Sequence, residues 1–160
     1  MNRIYLLSTV GTAVAFVAVA AWAQTSGDAT PDALAAPEAE ASVATLTQGK
    51  DIYAANCASC HGAKLEGQPD WRRRLENGRM PAPPHDESGH TWHHADSDLF
   101  TITKLGLSAV VPGYESDMPA FGNILSDTEI TAVLDYIKST WPDRQGDFQA
   151  EVTANDEQGS

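Results

Sequence analysis

The sequence predicts an all-α domain, and three observations carry that reading. A capped helix with a single apolar stripe stands near the end, at Ser126–Trp141. Between residues 45 and 142 no segment alternates apolar and polar residues in the period of two that marks a strand. Aromatic residues are only 8% of the 160-residue chain, so helices and long loops would close on a core short of bulk. A bound cofactor would supply the missing apolar mass.

The elements follow in chain order. Arg3 precedes an uncharged run from Ile4 to Ala23, and Ala21-Trp22-Ala23 has the small-x-small pattern that a signal peptidase cuts. Residues 1–23 are therefore expected as a signal peptide or an uncleaved membrane anchor at 4–23, since 20 residues of helix reach across about 30 Å. Either way the remainder is expected outside the cytoplasm, in the periplasm, free or tethered to the inner membrane. Residues 24–44, rich in Ala, Pro and acids, are expected as a flexible linker.

The main domain is expected at 45–142. Its first helix is expected to start near Thr45, capped by Thr45-x-x-Gln48, and to run through Ile52 and Tyr53 into the cysteines. Gly62 to Ala95 lacks periodicity and is read as long loops. A short helix is expected after a cap at Asp96 or Ser97, carrying Leu99, Ile102 and Leu105 and stopped by Gly106. The last is the clearest: Ser126 and Glu129 form a capping box, and Ile130, Val133, Leu134, Ile137 and Trp141 make the stripe before Pro142. Residues 143–160 are expected as an unstructured acidic tail.

Charge limits the partners. The chain carries 22 acidic and 10 basic residues, a formal net charge of −12, which argues against nucleic acid, whose phosphates require Lys and Arg clusters. Such an excess suits partners with basic docking surfaces. Two cysteines exclude a disulfide-dense scaffold and a four-cysteine zinc site.

Those two cysteines carry the chemistry. The run Cys57-Ala58-Ser59-Cys60-His61 has the spacing of covalent c-type haem attachment. On one helical turn, thiols at i and i+3 face the same way and can each form a thioether with a haem vinyl group. His61 can then reach the iron from one side. A thiol redox pair would need alternating strands and helices, and a zinc site would need two further ligands. For the opposite side of the iron Met118 is the foremost candidate: it lies 57 residues beyond His61, before Pro119 and the last helix. Met80, a loop histidine or an open position are the alternatives. His85, His90, His93 and His94 around Trp92 invite an accessory metal, although polar-loop histidines are more often surface or capping groups. Arg72, Arg73 and Arg74 would diverge by roughly 100° per residue on a helix, yet one of them, or Arg79, could pair with a haem propionate, as could the indole N–H of Trp71 or Trp92. The partner of the His61 ring is expected to be a backbone carbonyl of the Pro-rich loop.

Residues 45–142 resemble a monohaem class I cytochrome c. The matching residues are Gly49, Tyr53, Asn56-Cys57-Ala58-Ser59-Cys60-His61-Gly62, Met118-Pro119-Ala120-Phe121 and Tyr136. The resemblance implies the cytochrome c fold, whose first and last helices cross where Gly49 permits close approach and Tyr136 packs nearby. It implies one haem c, held by Cys57 and Cys60 with His61 and Met118 as axial ligands, and electron transfer between redox proteins by a carrier and not an enzyme, with a catalytic role left open. Two rival readings are a haem subunit anchored in an oxidase or dehydrogenase complex, and a five-coordinate haem enzyme or sensor.

Overall fold

The computed structural model describes residues 31–159. The leader expected at 1–23, and the linker's first residues, lie outside them. Five α-helices follow one another: α1 (Pro31–Asn56), α2 (Ala58–His61), α3 (Asp96–Leu105), α4 (Asp127–Ser139) and α5 (Asp143–Gly159), with short 3-10 turns at Thr91–His93 and Leu107–Ala109. There is no strand among the described residues, and no helix among them is long and apolar enough to cross a membrane.

The scaffold is the crossing of α1 over α4. Its closeness depends on Gly49, where a Cβ would lie 2.7 Å from the Ala132 carbonyl carbon and 2.8 Å from Tyr136 Cβ. Any side chain here would hold the two helices apart. Around the crossing, Ile52 and Tyr53 pack with Leu65, Phe121, Leu125, Ile130, Val133, Ile137 and Trp141 in one core. Tyr53 and Tyr136 meet with ring centroids 5.7 Å apart.

Helix α4 starts as expected but ends at Ser139, so Trp141 enters the core from the turn beyond it. Ser126 Oγ accepts from Glu129 N–H while the Glu129 carboxylate accepts from Ser126 N–H. The N-terminal half of α1 departs from expectation: residues 31–44, read as linker, are helical. Pro31 suits the first helical position and the alanines after it favour helix, against the cost of Pro37, which has no N–H to donate within the run. Helix α3 has the expected span but a different cap and face. Ala95, with extended backbone, is its N-cap, and Asp96 is the first helical residue, its carboxylate held by Lys138 Nζ at 3.0 and 2.9 Å. Leu99 and Thr103 are buried, whereas Leu105 is 58% exposed.

The tail also differs from the sequence reading. Residues 143–159 form α5, docked through polar groups and not through an apolar stripe. Gln149, only 4% exposed, donates to Asp96 Oδ1 at 2.7 Å, and Thr153 Oγ1 accepts from Asp96 N–H at 3.1 Å. Phe148 meets the Trp92 ring edge to face at 5.4 Å. The acids of this segment thus lie on the folded domain.

Candidate functional site

Cys57 to His61 form a single helical turn at the end of α1. Cys57 N–H donates to the Tyr53 carbonyl at 2.9 Å, and His61 N–H donates to the Cys57 carbonyl at 2.9 Å. Gly62 ends the turn at φ +82°, a left-handed conformation that disfavours other residues. Both thiols are free. Cys57 is half-buried, and burial, reinforced by the neighbouring Cys60 sulfur, raises its thiol to about 11. Cys60 is exposed. Two unpaired thiols one turn apart, followed at once by a histidine, make the donor set for covalent haem attachment.

The His61 ring is fixed from behind. Its Nδ1 lies 2.8 Å from the Pro83 carbonyl oxygen, which can only accept, so the proton sits on Nδ1 and the Nε2 lone pair is left for a metal. Burial lowers its basicity, opposed by that hydrogen bond. Pro83 is the carbonyl that the sequence anticipates in the Pro-rich loop without placing it. The loop reaches His61 because Gln68 N–H donates to Ala82 O at 2.9 Å and Ala82 N–H donates to Gln68 Oε1 at 2.8 Å. Tyr53 Oη donates to the Gly62 carbonyl at 2.9 Å, pinning the far end of the turn.

The other histidines do not converge on one point, although His90 and His94 meet edge to face at 5.5 Å. His85 stacks on His61 with centroids 4.0 Å apart, and its Nδ1 is 2.8 Å from Thr91 Oγ1. Burial, and then the neighbouring His61 and His90 rings, which disfavour a second positive charge beside them, hold its pKa well below the ordinary histidine value. His90 stacks on Trp71 at 5.3 Å, His93 stacks on Trp92 at 3.7 Å, and His94 lies 3.9 Å from Asp98. Among the described residues, no group of three or more His, Cys, Asp or Glu side chains is arranged to hold a metal ion.

Met118 is half-buried against the core cluster, in the loop between the second 3-10 turn and α4, with its N–H donating to Ser116 Oγ at 3.1 Å. Met80 is half-buried between Arg79 and Pro81. Three of the four candidate arginines are engaged within the protein, and Arg73 is exposed. Arg72 stacks on Trp71 and donates to Ser88 O at 3.3 Å, Arg74 donates to Gly78 O at 2.7 Å, and Arg79 pairs with Asp117 and Glu115. Trp92 Nε1, by contrast, is buried with no partner. A buried indole N–H without an acceptor, next to the core that also holds Cys57 and Met118, fits a haem carboxylate. The sequence points to Cys57, Cys60, His61 and Met118. The His61–His85 stack and the Arg79 ion pairs have no sequence signal, because they join residues far apart in the chain.

Comparison with known proteins gives consistent results. The family model described as Cytochrome c matches residues 46–141. The cbb3-type cytochrome c oxidase subunit FixP of Azorhizobium caulinodans is 32% identical over 104 residues, which are 64% of this chain and 32% of that protein. Cytochrome c-555 of Prosthecochloris aestuarii is 34% identical over 67 residues, 38% of this chain and 68% of that protein. The chain thus spans about a third of the length of the first relative. No solved structure matches.

Proposed function

We propose that this chain, which belongs to the cytochrome c family and binds haem c covalently, is an exported single-electron carrier with His61 and Met118 as axial ligands. The haem iron supplies a one-electron couple. Cys57 and Cys60 would each hold the haem through a thioether, and His61 Nε2 and the Met118 sulfur would bind its iron. The reading rests above all on the anchored turn: the hydrogen bond from Nδ1 to Pro83 O leaves His61 one nitrogen for the metal and one orientation. A soft thioether ligand would favour reduced iron, and ligation by both side chains would suit electron transfer better than binding of oxygen or peroxide. Trp92 Nε1 has the unsatisfied donor for a propionate. The acidic excess suits partners with basic docking surfaces, with association that slows as salt rises.

The likeness to an oxidase subunit favours one second reading, a haem subunit kept at the membrane by residues 4–23. N-terminal sequencing of the mature protein separates the two, since a carrier released by cleavage would begin at Gln24. The ligand assignment is tested in the holoprotein. Met118→Ala should abolish the weak sulfur–iron band of the ferric spectrum and lower the potential, with the haem still attached in a pyridine assay. Met80→Ala should do neither. Loss of the band in Met80→Ala but not in Met118→Ala would overturn the assignment.

A further inference from the structure

The loop that carries Met118 is held from outside by the arginine-bearing loop, and the geometry points to Arg79 as the positioning residue that keeps the Met118 loop closed over the site. From Tyr114 to Phe121 the chain has neither helix nor strand. Its backbone is tied at the two ends, Tyr114 N–H to Val111 O at 3.1 Å and Phe121 N–H to Thr103 O at 3.0 Å. Met118 lies between these ties. The Arg79 guanidinium reaches this stretch from 38 residues earlier, with Nη1 on Asp117 Oδ1 and Nη2 3.8 Å from Glu115 Oε2. Asp117 is the residue immediately before Met118. A second cation supports the same loop, Arg74 lying 5.9 Å from the Tyr114 ring centroid.

Arg79 is itself held. Its N–H donates to Asn77 Oδ1 at 3.0 Å, and its carbonyl accepts from Leu75 N–H at 2.8 Å. The fork therefore projects from a fixed base, which reduces the entropy lost in holding two carboxylates. An exposed ion pair adds little to global stability. Here its place next to a candidate ligand lets it bear on local opening, the excursion that would let an external ligand replace Met118. This inference rests on the His61/Met118 reading.

The test uses full-length ferric holoprotein and neutral imidazole as the entering ligand. Arg79→Gln should accelerate imidazole binding about two- to fivefold, the range a partly exposed ion pair supports, while retaining the sulfur–iron band. Asp117→Asn should do the same, and Arg79→Lys should fall between Arg79→Gln and the unmodified protein. Pairing Arg79→Asp with Asp117→Arg should restore the slow rate. Raising salt from about 20 mM to about 500 mM shortens electrostatic reach to a few ångström, so the unmodified rate should rise toward that of Arg79→Gln, which itself should barely respond. Unchanged imidazole kinetics in both Arg79→Gln and Asp117→Asn, with the band present, would overturn the positioning role alone. A sulfur–iron band that survives Met118→Ala would overturn the ligand reading and the positioning role with it.

Discussion

Replacing Gly49 with alanine tests the crossing on which the site is built. The added Cβ would lie 2.7 Å from the Ala132 carbonyl carbon and 2.8 Å from Tyr136 Cβ, closer still to the Ala132 carbonyl oxygen. Ordinary carbon contacts need about 3.5 Å or more, and both nearest atoms belong to the backbone, which cannot swing aside. The helices must therefore separate by close to an ångström. That separation would loosen Ile52 and Tyr53 against Ile130 and Val133, all buried in the one core. Overpacking of this kind costs about 1–3 kcal/mol and occasionally more, while alanine returns about 1 kcal/mol of helix propensity. With Ala132 and Tyr136 both obstructing, the net loss should be about 2 kcal/mol. For a domain of roughly 100 residues this lowers the melting temperature by about 8–16 °C. The assay is thermal unfolding of the holoprotein, followed together by far-ultraviolet circular dichroism and Soret absorbance. An unchanged or raised melting temperature in Gly49→Ala would refute the close approach of α1 to α4.

Trp141→Phe removes the indole N–H that donates to the His85 carbonyl at 2.7 Å and should cost about 1–2 kcal/mol in denaturant titration, the price of one buried acceptor left unpaired. Deleting residues 143–160 removes the Gln149 and Thr153 bonds to Asp96 and the Phe148 contact with Trp92. The melting temperature should fall by several degrees while the rate of electron transfer to a partner changes little; an unchanged melt would show that α5 does not dock. His90 has its pKa lowered by burial, then by His94, His93 and Arg72, so the unfolded chain binds its proton more readily. The stability it contributes is present above about pH 6.5 and is lost as pH falls through that value toward the lower folded pKa. His90→Gln should therefore flatten the fall in melting temperature between about pH 7 and about pH 5, and an identical slope in both proteins would contradict the assignment.

The features readable in the sequence are those whose causes are local. The Ser126–Glu129 capping box spans one turn, and the Ile130–Ile137 stripe needs only a helical period, so both are legible without knowing what lies opposite. The C-A-S-C-H turn is legible for the same reason. Helix α5 was not, because it has no stripe to read: Gln149 is buried against a carboxylate 53 residues earlier, and Thr153 caps a helix 57 residues earlier. Its composition is that of a solvated tail until Asp96 is beside it. The arginine run was obscured by a different assumption. Successive residues diverge on a helix, but Trp71–Arg74 lies in turns, where Arg72 and Arg74 are directed to Ser88 and Gly78 on separate neighbours. The site itself combines both kinds of cause. Sequence spacing places His61 beside its cysteines, but the direction of its free nitrogen is set by Pro83, 22 residues away, and by a loop that must close before the hydrogen bond can form. A local motif can therefore supply the ligand, while its orientation comes only with the folded loop around it.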